Sequence, residues 1–138
     1  MAAQNVVVEK RLADIEMSDD RLVLNDTGRT LYQNEIVLVP LGTNRGMAVL
    51  VNVLDNTGIV ANGSYYTGIV KMIVNVPCSA TAFTAGQAVQ LAQSGTGATH
   101  GSTVAGTYVI GQATKVVATS ASYVPVDLNF GPDAFYVA

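Results

Sequence analysis

The chain has 138 residues, of which only 12% are charged, and seven Lys and Arg against ten Asp and Glu give a formal net charge of -3. That length suits one domain with a core large enough to need no staples. The basic residues are scattered, with only Lys10 and Arg11 adjacent, which argues against a nucleic-acid surface built on clustered Lys and Arg.

Cys78 is the single cysteine, so no internal disulfide can form. The start of the chain, Met1-Ala-Ala-Gln-Asn5, lacks the basic segment and apolar core of a signal peptide. No apolar run approaches the roughly 20 residues of a membrane helix. The expectation is a protein made in the cytoplasm, with no membrane partner.

Eight of the ten carboxylates lie between Glu9 and Asp55. This predicts a polar N-terminal arm over residues 1–30 and a compact body over 31–138 that ends in an aromatic tail. Within the arm, the three consecutive valines of Asn5–Glu9 favour a short strand. A second short strand is expected at Arg21–Leu24, closed by a turn at Asn25-Asp-Thr-Gly28. Glu35–Val39 reads as a strand that stops at Pro40, and Gly42–Gly46 as a loop. Met47–Leu54 is a strand, Asp55-Asn-Thr-Gly58 a turn, and Ile59-Val60 a strand again. Asn62-Gly63 is a hairpin signal. Tyr65–Val76 follows as one long strand, then Gln87–Ala92.

Ser94–Thr103 reads as a Gly/Thr/Ser loop. Thr107–Ala118 is the next strand, with Gly111 placed for a bulge. In Ser122–Phe130, Val124, Val126, Leu128 and Phe130 alternate with Tyr123, Pro125, Asp127 and Asn129. Pro125 cannot donate to a ladder, which predicts an edge strand or a bulge there. Many short strands with turn signals and no long helical pattern predict an all-β domain, a small barrel or a sandwich.

From Met72 to Thr114 there is no charged residue. Ordinary domains carry about 25% charge, and a surface this bare is exposed to association unless other protein covers it. Met47–Leu54 and Tyr65–Val76 are apolar on both faces, whereas a strand with one wet face alternates. Two readings stand. The strands are buried between two layers of one domain, or their outer face is covered by another subunit. On the second reading Leu50, Leu54, Ile69 and Ile73 are oligomer contacts.

Catalytic chemistry is thin. His100, the single histidine, sits in the Gly-rich segment and reads as a tolerated loop residue. Cys78 has no other imidazole for a partner base, and an inert thiol is expected. Asp19-Asp20 and Asn25-Asp26 lack the loop spacing and closing Glu of an EF-hand. Asn25-Asp-Thr27 and Asn62-Gly-Ser64 match a glycosylation pattern that needs a secretory context. Gly106-Thr-Tyr-Val-Ile-Gly111 has the glycine spacing of a phosphate loop, but Gln112-Ala113 stand where Lys and Ser or Thr are required. No enzyme activity, cofactor or metal is expected.

One ordered set of motifs remains. Val60-Ala-Asn-Gly-Ser-Tyr-Tyr-Thr-Gly-Ile-Val70 leads through Pro77 to Phe83-Thr-Ala-Gly-Gln-Ala-Val-Gln-Leu91. Tyr108-Val-Ile-Gly-Gln-Ala113 and Tyr123-Val-Pro-Val-Asp-Leu128 follow. This order, over Leu31–Phe130, resembles the capsid decoration (cement) proteins of tailed bacteriophages. The resemblance implies a β-tulip-like barrel, a trimer on the outside of the head, and the major capsid protein as partner. It places Asn5, Val6, Val7, Val8 and Glu9 as an arm that pairs with the shell, consistent with their strand character. Phe135 and Tyr136 of the tail are contact candidates, either toward a neighbour or tucked onto the chain's own barrel. The other readings are a tail-tube, fibre or pilus-like lattice subunit, and a small carbohydrate-binding β-module with Tyr65-Tyr66 as its one aromatic pair.

Overall fold

The structure, a computed structural model, describes residues 9–10, 19–53, 55–78, 81–92, 98–100 and 107–137. It is all-β, with no helix among the described residues. The strands are β1 (Glu9–Lys10), β2 (Asp19–Leu24), β3 (Leu31–Tyr32), β4 (Ile36–Gly42), β5 (Arg45–Asn52), β6 (Ile59–Val60), β7 (Tyr65–Lys71), β8 (Ile73–Pro77), β9 (Ala88–Ala92), β10 (Ala98–His100), β11 (Thr107–Ala113) and β12 (Tyr123–Leu128). They form a six-stranded sheet in the order β1-β8-β12-β11-β9-β10, a four-stranded sheet in the order β2-β7-β5-β4, and a two-stranded ribbon of β3 and β6. All the pairings are antiparallel.

The main core lies between the two larger sheets. Ile36, Leu38, Ala48, Leu50 and Ile69 meet Val74, Leu91, Ile110, Val126 and Leu128 there. Each fully buried side chain of this size contributes roughly 1.5–3 kcal/mol. A second cluster covers the opposite face of the four-stranded sheet, where Leu31 and Val60 of the ribbon pack on Val37, Val49, Val51, Tyr66 and Val70. The strands that read as apolar on both faces are therefore sandwiched within one chain.

The architecture includes a sheet curled into a half-barrel. Gly68 of β7 lets its neighbours close up in the four-stranded sheet, because a Cβ there would lie 2.2 Å from Val49 Cγ1 and 2.9 Å from Val23 Cγ2. With no side chain on Gly68, β2 and β5 lean their valines together over β7.

Several expected boundaries move. Tyr65–Val76 is two strands, broken at buried Met72, whose carbonyl accepts the Leu128 N–H at 3.0 Å. The chain changes sheet there, so β7 pairs with β2 and β5 while β8 pairs with β12 and β1. Asn62-Gly63 makes a turn, closed by Ser64 N–H to Ala61 O at 3.0 Å, but not a hairpin, because β6 pairs with β3 instead of β7. β4 continues through Pro40 to Gly42. It tolerates Pro40 because it is an edge strand among the described residues.

β12 is interior, not an edge. Pro125 sits just beyond the β11 ladder, where its carbonyl accepts the Thr114 N–H at 3.0 Å and no reciprocal donor is required. Gly111 does sit at a register shift, between β11 and β9. Ala98–His100, expected in a loop, form β10 against β9.

Candidate interaction surface

Two turns of the same design shape the outer side of the four-stranded sheet. In Asn25-Asp-Thr-Gly28, Asn25 Oδ1 accepts the Thr27 N–H at 3.2 Å and the Thr27 hydroxyl at 2.7 Å. In Asp55-Asn-Thr-Gly58, Asp55 Oδ1 accepts the same two groups of Thr57 at 2.9 and 2.6 Å. The Thr57 bonds hold the Asp55 carboxyl below its ordinary pKa. Asx turns of this kind use the short side chain to replace a backbone turn. They deliver β3 and β6 to each other, with Leu31 opposite Val60 and Tyr32 opposite Ile59. Buried Asn25 fastens the pair by donating from Nδ2 to Val60 O and Arg29 O, each at 2.9 Å.

The ribbon covers only part of that face. Beside it lies an open groove of about 820 Å³, walled by β2 (Arg21–Leu24) and β4 (Val37–Pro40), with Met47 and Tyr66 lining it as well. Burial pushes the Tyr66 hydroxyl up to about 12, with Asp26 adding to the shift. The groove is bordered by one basic residue, Arg21, and one acidic residue, Asp26.

An apolar tract runs from the rim of the groove across the surface. Leu22 and Leu24 lie on one face of β2, and Leu24 is the cross-strand partner of Tyr65. Tyr65 and Ile59 border the same shallow depression, and Ile59 pairs with Tyr32. These five side chains are between 41% and 69% exposed. Contiguous exposed apolar surface of this kind is a candidate contact surface. The sequence held the signal: Leu22-Val23-Leu24 is apolar on both faces, like β5 and β7, but its partner face is open.

The residues expected at interfaces are dispersed. Asn5–Val8 and Leu54 lie outside the described residues. Glu9, expected to pair with a shell protein, is the first residue of β1, opposite Asn75 of the chain's own β8, at an edge of the six-stranded sheet among the described residues. Leu50 at 0% and Ile69 at 4% exposure are in the core between the sheets, which removes them from any oligomer surface. Ile73 is half-buried in β8, opposite Asp127.

The tail is stitched in cis. Phe135 O accepts the Gly46 N–H, and Tyr136 O accepts the Val109 N–H, both at 2.9 Å. The tail thus bridges β5 of one sheet to β11 of the other. The Phe135 ring lies 5.9 Å from the Arg45 guanidinium carbon. Tyr136 keeps its side chain 42% exposed.

Three titratable groups, Cys78, Glu35 and Tyr108, are buried in the interior. Burial holds the Cys78 thiol above its ordinary pKa. Glu35 is fully buried, and its carboxylate accepts Arg29 Nη2 at 2.7 Å and the Tyr32 N–H at 3.1 Å. Burial nevertheless dominates over Arg29 and raises its pKa. Tyr108, fully buried, has a hydroxyl with no hydrogen-bond partner among the described residues. Burial, with the nearby charge of Glu35, raises its pKa.

A raised folded-state pKa means that the native state holds the Glu35 proton more tightly than the unfolded chain. That contribution to stability is complete below the ordinary value of 4.5 and is lost as pH rises through the folded pKa. Glu35→Gln, which mimics the protonated form, should therefore unfold at the same or higher denaturant concentration than the parent at pH 7. The gap should close toward pH 4. A variant clearly weaker at pH 7 would show that the Arg29 ion pair outweighs desolvation.

Among the described residues no cluster of His, Cys, Asp or Glu could hold a metal ion, and no helix is long and apolar enough to cross a membrane. No protein-family model matches the chain, and neither does any curated protein or solved structure.

Proposed function

We propose that this chain is a structural, non-enzymatic subunit of a phage virion. It covers the outer surface of the head as a trimer, binds the major capsid protein and stabilises the shell. The observation that carries the reading is the apolar tract of Leu22, Leu24, Tyr65, Ile59 and Tyr32, set in a chain whose low charge suits packing in a crowded lattice. The ordered motifs from Leu31 to Phe130 supply the class of assembly.

Titration of the protein onto empty, expanded heads should show saturable binding. The double variant Leu22→Lys and Tyr65→Lys should bind at least tenfold more weakly, since central apolar anchors each contribute on the order of 2 kcal/mol. Its melting temperature should stay close to the parent's, because both side chains are exposed. Absence of saturable binding by the parent would sink the proposal.

A second reading is favoured by one observation. β2 and β4 are both edges of the same sheet among the described residues, so copies joined edge to edge could form a tube or fibre. Long filaments in light scattering would select that reading over a discrete oligomer.

A further inference from the structure

We infer that the groove between β2 and β4 receives residues Gln4–Val8 of a neighbouring copy as an added strand. The groove, at about 820 Å³, falls within the roughly 300–1,000 Å³ of built binding sites. Its walls are strand edges. Asn25 N–H donates to Ser64 O and Gly63 N–H donates to Asn25 O, so Asn25, Val23 and Arg21 turn their backbone groups toward β7. Those of Leu22 and Leu24 point off the sheet, because ladder bonding alternates residue by residue. On β4, Val51 N–H donates to Glu35 O, so Val37 and Val39 face β5 while Ile36 and Leu38 point off the opposite edge. Two outward-facing backbone edges over a floor that includes Val37, Met47 and Tyr66 suit an extended apolar peptide. Asp19, Asp20, Arg21 and a bulge blunt the start of β2, and Pro40 the end of β4, but Leu22–Leu24 and Ile36–Val39 carry neither charge nor Pro.

The chain contains a matching segment. Gln4-Asn-Val-Val-Val8 is uncharged and has three consecutive β-branched residues, and it lies outside the described residues. Extended, it spans roughly 17 Å, against roughly 20 Å for the six residues of β2. Strand direction indicates which copy supplies it. β1 runs antiparallel to β8, with Glu9 opposite Asn75 and Lys10 opposite Val74. The chain therefore enters β1 from the Pro77 end of β8. β8 joins the groove-bearing sheet at its other end, through Met72. The groove floor, Val37 and Tyr66, belongs to the cluster on the face of that sheet turned away from β8, so the sheet and the main core separate Glu9 from the chain's own groove, and the segment is assigned to another copy's. A contact of this head-to-tail kind closes into a ring where the rotation between copies returns to the first one, and a threefold rotation gives a trimer. This contact rests on the trimer of the proposed function, and it assigns Gln4–Val8 to a neighbouring copy, not to the shell.

The test compares solution masses by light scattering and follows a labelled peptide, Gln4–Lys10. The full chain should have the mass of a trimer. A chain lacking residues 2–8, and the groove variants Val39→Lys and Met47→Lys, should be monomers that still melt cooperatively. The peptide should bind the truncated chain one to one, and at least tenfold more weakly once Val39→Lys or Met47→Lys is added. The amides of Leu22, Leu24, Ile36 and Leu38 should exchange with solvent faster in the truncated chain than in the full one. A monomeric full chain, a truncated chain that keeps the full mass, or peptide binding indifferent to both groove variants would overturn the inference. Head binding by the monomeric truncated chain is a separate readout, so the shell reading and the groove reading fail independently.

Discussion

Gly111→Ala should cost about 3–5 kcal/mol of stability, enough to unfold much of the population in a domain of ordinary stability. A Cβ on Gly111 would lie 2.0 Å from the Asp127 carbonyl oxygen, 2.9 Å from its carbon and 3.1 Å from Leu128 Cα. All three are backbone atoms, so no side-chain rotation relieves the clash. Gly111 also has φ of 156°, outside the range that L side chains adopt readily. Relief by moving β12 is costly as well. β11 lies between β12 and β9 inside the six-stranded sheet, and its shift in register occurs between Val109 and Gly111. Gly58→Ala provides the control, because Gly58 also has positive φ but has nothing within 4 Å of the added atom. That change should cost about 1 kcal/mol, the backbone strain alone. Denaturant melts of the two variants separate clash from strain. Equal losses would show that β12 moves aside freely.

The elements legible in the sequence are those governed by local chemistry. Ile59-Val60 between two turn signals is β6 as expected, and Arg21–Leu24 lies within β2. Gly111 is at an irregularity, as a lone glycine inside a strand pattern indicates. What escapes is decided by distant partners. Nothing near Asn62-Gly63 says that the strand before it will pair with β3 and the strand after it with β2 and β5. Pro125 reads as an edge marker, yet β11 simply ends beside it. Likewise the break at Met72 is set by Leu128, 56 positions away, donating to its carbonyl.

The candidate surface is half legible for the same reason. Apolar residues on both faces of a strand announce that both faces are covered, but not by what. For Leu50 and Ile69 the cover is the six-stranded sheet of the same chain. For Val49 and Val51 it is the β3–β6 ribbon. For Leu22 and Leu24 no described part of the chain provides it, and they remain exposed. The pattern is identical in the three cases, and only the topology separates core from contact surface. The Thr27 and Thr57 turns are each legible, but their likeness matters only once β3 and β6 are seen to pair.

The second large effect is expected at Asn129, which the sequence places as one more outward residue of an alternating strand. It is a turn residue instead, with φ of 57°, and its amide holds two strands of the four-stranded sheet together. Nδ2 donates to Ala48 O and to Val70 O, each at 2.8 Å, and Oδ1 accepts the Ala48 N–H at 2.9 Å. The β5–β7 ladder has its last pair at Leu50 and Ile69, so the amide wedges between the two strands where their own bonding ceases. Its backbone N–H donates to Ile110 O at 2.7 Å, which ties the same residue to β11 in the other sheet. Asn129→Ala removes three hydrogen bonds, leaves one donor and two acceptors without partners, and puts alanine in left-handed backbone that asparagine tolerates better. Stranded polar groups cost roughly 1–3 kcal/mol each when water cannot replace the partner. Asn129 is half-buried, so water recovers part of the loss, and about 3–4 kcal/mol is expected. Asn129→Gly loses the same bonds without the backbone strain and should be milder by about 1 kcal/mol. Asn129→Asp keeps the acceptor for Ala48 but turns a carboxylate toward two carbonyl oxygens, so it should be weaker at pH 7 than near pH 4, where protonation restores a donor. Hydrogen exchange at the Ala48 amide reports the lost contact directly. If Asn129→Ala melts within 1 kcal/mol of the parent, the two sheets are joined by packing alone and the amide is dispensable.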